Sequence, residues 1–126
     1  MQEIKEYLLS SITASGPKIT IFSGHDTVIA PVLAALGVYK HVCRWPRYAS
    51  RVALEVWKKD SSNPAIPSSY SVRVVFNGGD LTRHVPSCIG KITHSQQVDL
   101  CPLDRIVHQI DSLIGSYESW EDACTA

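Results

Sequence analysis

Five consecutive residues, Ser23-Gly24-His25-Asp26-Thr27, hold the side chains best suited to chemistry in this 126-residue chain. An imidazole can donate a hydrogen bond to developing negative charge, and a carboxyl beside it can pass a proton to a leaving group. Adjacent side chains converge on one reacting group only where the backbone turns sharply. The flanking sequence supplies that turn, with Ile19-Thr20-Ile21-Phe22, rich in β-branched residues, before it and Val28, Ile29, Val32, Leu33 and Leu36 after it at helical spacing. A strand, turn and helix in this order put free N–H groups and a positive dipole end at the junction, which predicts an anion site.

Blander roles compete at the same positions. Asp26 can serve as a helix N-cap and His25 as a turn residue, and Thr27 reads more readily as a cap than as a donor to an anion. Ser23 and Gly24 read as backbone geometry, with Gly24 permitting the sharp turn. Glu55 lies on an alternating stretch and suits a pairing or edge role better than catalysis. Trp45, Tyr48 and Trp57 read as packing residues, any one of which could line a pocket. His41, His84, His94 and His108, taken with Cys88 and Cys101, follow no standard ligand spacing, so no metal site is expected. Arg105 and Lys91 read as solvated charge.

The elements that must position the turn follow from hydrophobic period. Residues 3–14 carry Ile4, Tyr7, Leu8 and Ile12 on one helical face, and Gly16-Pro17 stops that run. Residues 18–23 read as a buried parallel strand. The helix beginning at Thr27 spans about ten residues by spacing, with Pro31 near its first turn and Gly37 as its C-cap. Residues 38–50 form an aperiodic connection. Three antiparallel strands are expected at 51–58, 71–76 and 81–85, the last two joined by Asn77-Gly78-Gly79-Asp80. Residues 59–69 read as an exposed Ser/Pro loop, and 87–99 as an irregular segment with Cys88 and Cys101 placed as if to staple it. Pro102 opens a final helix with the stripe Leu103, Ile106, Val107, Ile110, Leu113 and Ile114, ending at Gly115.

Length and 44% hydrophobic content match one domain able to bury a core. The 12 basic and 12 acidic residues give no net charge, which favours neither nucleic acid nor an anionic membrane surface as partner. No stretch approaches the roughly 18 apolar residues of a membrane-spanning helix, and the first residues lack a signal-peptide layout. The four cysteines form no Cys-x-x-Cys pair, so disulfides in a secretory compartment are their expected use.

Taken in order, Ser23-Gly24-His25-Asp26-Thr27, Pro46-Arg47-Tyr48-Ala49-Ser50, Glu55, residues 72–77, Pro86-Ser87-Cys88 and Cys101-Pro102-Leu103 resemble the C-terminal part of the histidine acid phosphatases. The resemblance runs from about residue 18 to Cys124, and residues 76–84, the 88–101 loop and 120–124 look most like the 2-phosphoxylose phosphatase branch. It implies an α/β chain, residues 1–126 forming the C-terminal portion of a histidine-phosphatase (phosphoglycerate mutase-like) domain. The strand–turn–helix, antiparallel strands and terminal helix would be its parts, and the N-terminal catalytic portion would lie elsewhere.

The resemblance also implies phosphomonoester hydrolysis in two steps through a phosphohistidine, with no cofactor. His25 would donate to the phosphoryl group, with Thr27 as a second contact, and Asp26 would act as general acid and then as base for water. A carboxyl acting as an acid must hold its proton, and a bound phosphate beside it favours this by like-charge repulsion. The family nucleophile lies in an Arg-His-Gly motif with phosphate-clamping arginines, and no such motif occurs here. Arg83-His84-Val85 lacks the glycine and falls on an expected hairpin strand. The chain therefore reads as the His-Asp half of a site whose substrate is a small phosphomonoester or phosphorylated sugar, such as 2-phosphoxylose in a proteoglycan linker. The alternative is a non-catalytic piece or pseudoenzyme that binds an anionic ligand or a partner chain. Further implications are a secretory lumen, specifically the Golgi, and for Cys124 a disulfide to the missing N-terminal portion. Cys43 has no counterpart in the family pattern.

Overall fold

The computed structural model describes residues 1–58 and 69–113. Four helices and five strands follow in the order α1 (Gln2–Ser11), α2 (Asp26–Ala35), α3 (Tyr39–Val42), β1 (Val52–Lys58), β2 (Tyr70–Phe76), β3 (Gly79–Asp80), β4 (Thr93–Ser95), β5 (Val98–Pro102) and α4 (Leu103–Asp111). Single 3-10 turns at Thr82–His84 and Pro86–Cys88 lie between β3 and β4.

The sheet is antiparallel, in the order β1-β2-β5-β4, with β3 also paired to β2. Its central strand, Tyr-Ser-Val-Arg-Val-Val-Phe, is rich in β-branched and aromatic residues that suit a half-buried pleated surface. Val52, Leu54 and Val56 of β1 pack towards the core, as their alternation predicts. On the opposite face Glu55 lies across from Arg73, whose Nη1 donates to Glu55 Oε2 at 3.4 Å. Asn77 and Gly78, with φ of 49° and 85°, supply the two left-handed positions of the tight hairpin to β3.

β2 changes partner along its length, to β3 at Val75 and Phe76 and to β5 at Ser71 and Val72. Thr82 bridges the gap. Its buried Oγ1 accepts from Val74 N–H at 2.9 Å and donates to Asp80 Oδ1 at 2.6 Å, while Leu81 N–H donates to Val74 C=O at 2.8 Å. The strand expected at 81–85 is therefore a 3-10 turn after Asp80, because the Thr82 hydroxyl takes the place of a ladder partner. Likewise the segment expected to be irregular at 87–99 contains β4 and most of the β4–β5 hairpin.

The core joins Leu33, Leu36 and Val38 to Val72 and Val74, and to Leu103, Ile106 and Ile110 of α4, all fully or almost fully buried. The spacing of 103, 106 and 110 puts these three on one helical face. Pro102 ends β5 and serves as the N-cap of α4, one position earlier than expected, and the helix closes at Asp111. Ile114, Gly115, Trp120, Cys124 and most of the Ser/Pro loop lie outside the described residues.

Two local expectations in α2 are corrected. Pro31 is its sixth residue rather than a first-turn residue, so its missing N–H leaves the Thr27 carbonyl without the usual helical donor. Gly24 does not have positive φ. Its role is space, since an added Cβ would lie 3.2 Å from Val28 Cβ. Glycine is required at Gly37, where φ is +72° and a Cβ would come within 2.6 Å of Pro86 Cδ.

Residues 18–23, expected as a buried parallel strand, form no strand among the described residues; after a bend at Lys18 they run without regular structure towards α2. Ile19 and Ile21 are 81% and 85% exposed, and Phe22, about half exposed, makes a T-shaped pair with Tyr7, ring centroids 5.4 Å apart. The apolar, β-branched composition is real, but no described strand lies alongside to bury it. Ile19, Ile21, Phe22 and Val28 leave apolar surface exposed here, while Leu8, Ile12, Leu33 and Leu36 on either side of the run are buried.

Candidate active site

His25, with extended backbone at φ −115° and ψ 173°, is the N-cap of α2. Its carbonyl accepts from Val28 N–H at 2.9 Å and Ile29 N–H at 3.1 Å, which anchors the first turn. Its ring makes no capping bond and is exposed. Asp26 is the first helical residue, where a carboxylate complements the positive helix end. One oxygen, Oδ1, accepts from Thr27 N–H at 2.8 Å. The other, Oδ2, accepts from the indole N–H of Trp45 at 2.6 Å.

The cap position thus belongs to His25, not to Asp26 or Thr27. Thr27 is the second helical residue, exposed, and its hydroxyl makes no hydrogen bond among the described residues. The turn presents an imidazole, an oriented carboxyl and a hydroxyl together at one helix start. That arrangement can hold an anion and move a proton beside it.

Sequence reasoning missed the part played by Trp45. Nineteen residues separate it from Asp26, and it lies in an aperiodic connection, so no spacing rule links the two. No local signal could have found it: α3 ends at Cys43 in the left-handed region (φ 47°), and Arg44-Trp45-Pro46-Arg47 follows, bringing Trp45 to Asp26 only in the fold.

Other candidates fall elsewhere. Glu55 pairs with Arg73 and accepts from Trp57 Nε1 at 3.2 Å. Arg83 is held by Asp99 at 2.8 Å, and the ring of His84 stacks on His41 with centroids 3.9 Å apart. His94 Nδ1 lies 3.0 Å from the other Asp99 oxygen, and these bonds from His94 and Arg83 hold the Asp99 carboxyl below its ordinary pKa. Partial desolvation, followed by the charges of His84 and Lys40, lowers the His41 pKa. Cys88 and Cys101 form a disulfide with Cα atoms 5.6 Å apart, and Cys43 is a free, exposed thiol. Among the described residues no group of three or more His, Cys, Asp or Glu is placed to hold a metal ion.

A helix opened by a histidine–aspartate turn, sharing a core with an antiparallel sheet, gives the described residues an α/β architecture. The family model described as Histidine phosphatase superfamily (branch 2) matches residues 1–77, and the chain belongs to this family. It is 36% identical over 110 residues to 2-phosphoxylose phosphatase 1 of Rattus norvegicus, covering 83% of this chain and 22% of the relative. It is 26% identical over 109 residues to lysophosphatidic acid phosphatase type 6 of Mus musculus, covering 86% and 22%. Identity to lysosomal acid phosphatase of Rattus norvegicus is 25% over 123 residues, covering 98% and 26%. The chain thus spans about a fifth to a quarter of the length of these curated relatives. No solved structure matches it. No helix among the described residues is long and apolar enough to cross a membrane.

Proposed function

We propose that this chain supplies the phosphate-holding and proton-donating half of a histidine phosphatase site that hydrolyses phosphomonoesters through a phosphohistidine. The observation that carries the reading is the His25–Asp26 turn at the start of α2, with its imidazole exposed and its carboxyl oriented by Trp45. His25 donates to the phosphoryl oxygens as their charge is redistributed, and Thr27 adds a second contact. Asp26 protonates the leaving oxygen of the ester. In the second step the same carboxylate takes a proton from the water that attacks the phosphohistidine, and inorganic phosphate leaves.

The nucleophilic histidine and arginine clamp belong to a portion of the domain outside residues 1–126, and that portion also covers the apolar run at 18–23. The substrate class is a small phosphomonoester or phosphorylated sugar. Similarity to 2-phosphoxylose phosphatase 1 favours a phosphorylated xylose of a proteoglycan linker, hence glycosaminoglycan synthesis in the Golgi. The Cys88–Cys101 disulfide and the lysosomal relative support a secretory-pathway lumen.

The test compares hydrolysis of 4-nitrophenyl phosphate by the 126 residues alone and joined to an upstream segment carrying Arg-His-Gly. Turnover only in the joined protein, abolished by replacing the histidine of that motif, is expected. No turnover in either form overturns the reading. One observation favours a second reading, a non-catalytic piece or pseudoenzyme that binds an anion or a partner chain: the chain contains no Arg-His-Gly motif. Phosphate binding without turnover in the joined protein would establish it.

A further inference from the structure

A cleft of about 440 Å³, lined by Trp45 but not by Asp26, opens between the connection after α3 and the β2–β3 hairpin. Its walls include His41, Arg44, Trp45, Arg47, Phe76 and Asn77, and no Asp or Glu lines it. The two arginines differ from those of the sheet. Arg73 and Arg83 each meet carboxylates, whereas the side chains of Arg44 and Arg47 make no hydrogen bond or ion pair among the described residues. His84 stacks on His41 and Lys40 is its chain neighbour, so further basic groups stand close to the same cleft.

Concave basic walls beside aromatic faces favour an anionic group carried on an organic body. Guanidinium forks match the planar edges of carboxylate, sulfate and phosphate, and an indole face accepts the apolar side of a ring. We propose that this cleft is a second anion-binding site, distinct from the His25–Asp26 turn, which takes a small organic ligand through a sulfate, phosphate or carboxylate group. Trp45 is shared: its N–H orients Asp26 while the residue lines the cleft. A ligand bridging both sites would carry one phosphate at the turn and a second anion against Arg44 and Arg47.

Binding of glucose 6-sulfate to the full chain, followed by tryptophan fluorescence and by the arginine Nε–H resonances in NMR, tests the proposal without requiring turnover. Saturable binding is expected to weaken at least tenfold in Arg44→Gln/Arg47→Gln, to persist in His25→Gln and Arg105→Gln, and to be absent with glucose. The single variants Arg44→Gln and Arg47→Gln serve as the readout if the double variant does not fold. Unchanged binding in the arginine variants, or loss in His25→Gln alone, overturns the proposal, as does the absence of saturable binding. Because the readout is binding, failure here leaves the phosphatase reading intact, and failure of the phosphatase reading leaves the cleft intact.

Discussion

Trp45 donates its indole N–H to Asp26 Oδ2 at 2.6 Å, tying the loop after α3 to the first residue of α2. The bond fixes one carboxyl oxygen, while Thr27 N–H fixes the other at 2.8 Å. In a phosphatase assembled with the Arg-His-Gly segment, Asp26→Asn removes the transferable proton. It should slow an alkyl phosphate by about 100-fold or more, a usual worth of general-acid catalysis, and 4-nitrophenyl phosphate far less. Trp45→Phe keeps the acid but frees its orientation. It should lower kcat by less than Asp26→Asn with KM unchanged. Equal losses on both esters would remove Asp26 from the acid role.

Thr82 explains how β2 can serve β3 and β5 in turn. Its buried hydroxyl both accepts from Val74 N–H and donates to Asp80 Oδ1. Thr82→Val keeps the shape but orphans a buried backbone donor, at a cost of about 1–3 kcal/mol. Urea unfolding of the two proteins measures it, and a difference below about 0.5 kcal/mol, the range of ordinary surface changes, would deny Thr82 this role.

Much of the architecture was legible because the signals were periodic or conformational. The stripe 103, 106, 110 gave α4, the alternation at 52, 54 and 56 gave β1, and Asn77-Gly78 gave the hairpin. The failures also have physical causes. Leu81, Arg83 and Val85 alternate like a strand, yet the Thr82 hydroxyl completes the ladder and bends the chain into a 3-10 turn. Thr93–Ser95 is exposed throughout, so β4 carries no hydrophobic pattern. The His-Asp turn was readable from neighbouring residues, whereas Trp45 reaches it only through tertiary folding.

His41 gives the chain an acid-sensitive contact. Its pKa is lowered from 6.5 by partial desolvation, then by the charges of His84 and Lys40. The folded state therefore binds its proton less readily than the unfolded chain. This contribution to stability is complete above about 6.5, the ordinary histidine value, and is lost as pH falls from there through the lowered one. Unfolding midpoints at pH 7.5 and 5 should differ more for the native chain than for His41→Asn. Equal pH dependence in the two would show that the stacked pair with His84 has no such effect.

The Cys88–Cys101 bridge closes a loop of sequence separation 13 between the Pro86–Cys88 turn and β5, with both cysteines fully buried. A loop of this size restricts the unfolded chain by about 3 kcal/mol in the entropy model. Cys88→Ala/Cys101→Ala should lower the unfolding free energy by about that amount, with added loss from the buried sulfur atoms. Comparing the native chain with and without reductant separates cross-linking from packing. Insensitivity to reductant would mean the bridge does not stabilise the fold.

The run at 18–23 separates two states of the same residues. In the chain as folded here, Ile19 and Ile21 are 81% and 85% exposed, Lys18 Nζ donates to the Ser11 and Thr13 carbonyls, and Phe22 packs on Tyr7. An exposed apolar segment that belongs to no described strand invites association with another chain. Ile19→Lys/Ile21→Lys should therefore raise the solubility of the 126 residues and leave their unfolding free energy within about 0.5 kcal/mol. Under the proposed function an upstream segment covers the run; in a protein joined to such a segment, two lysines at these positions should abolish folding or activity. A large loss of stability in the short chain would mean that the run is already buried in solution by self-association. Tolerance of both lysines in the joined protein would exclude it from the completed sheet, and the His25–Asp26 turn would then need another support.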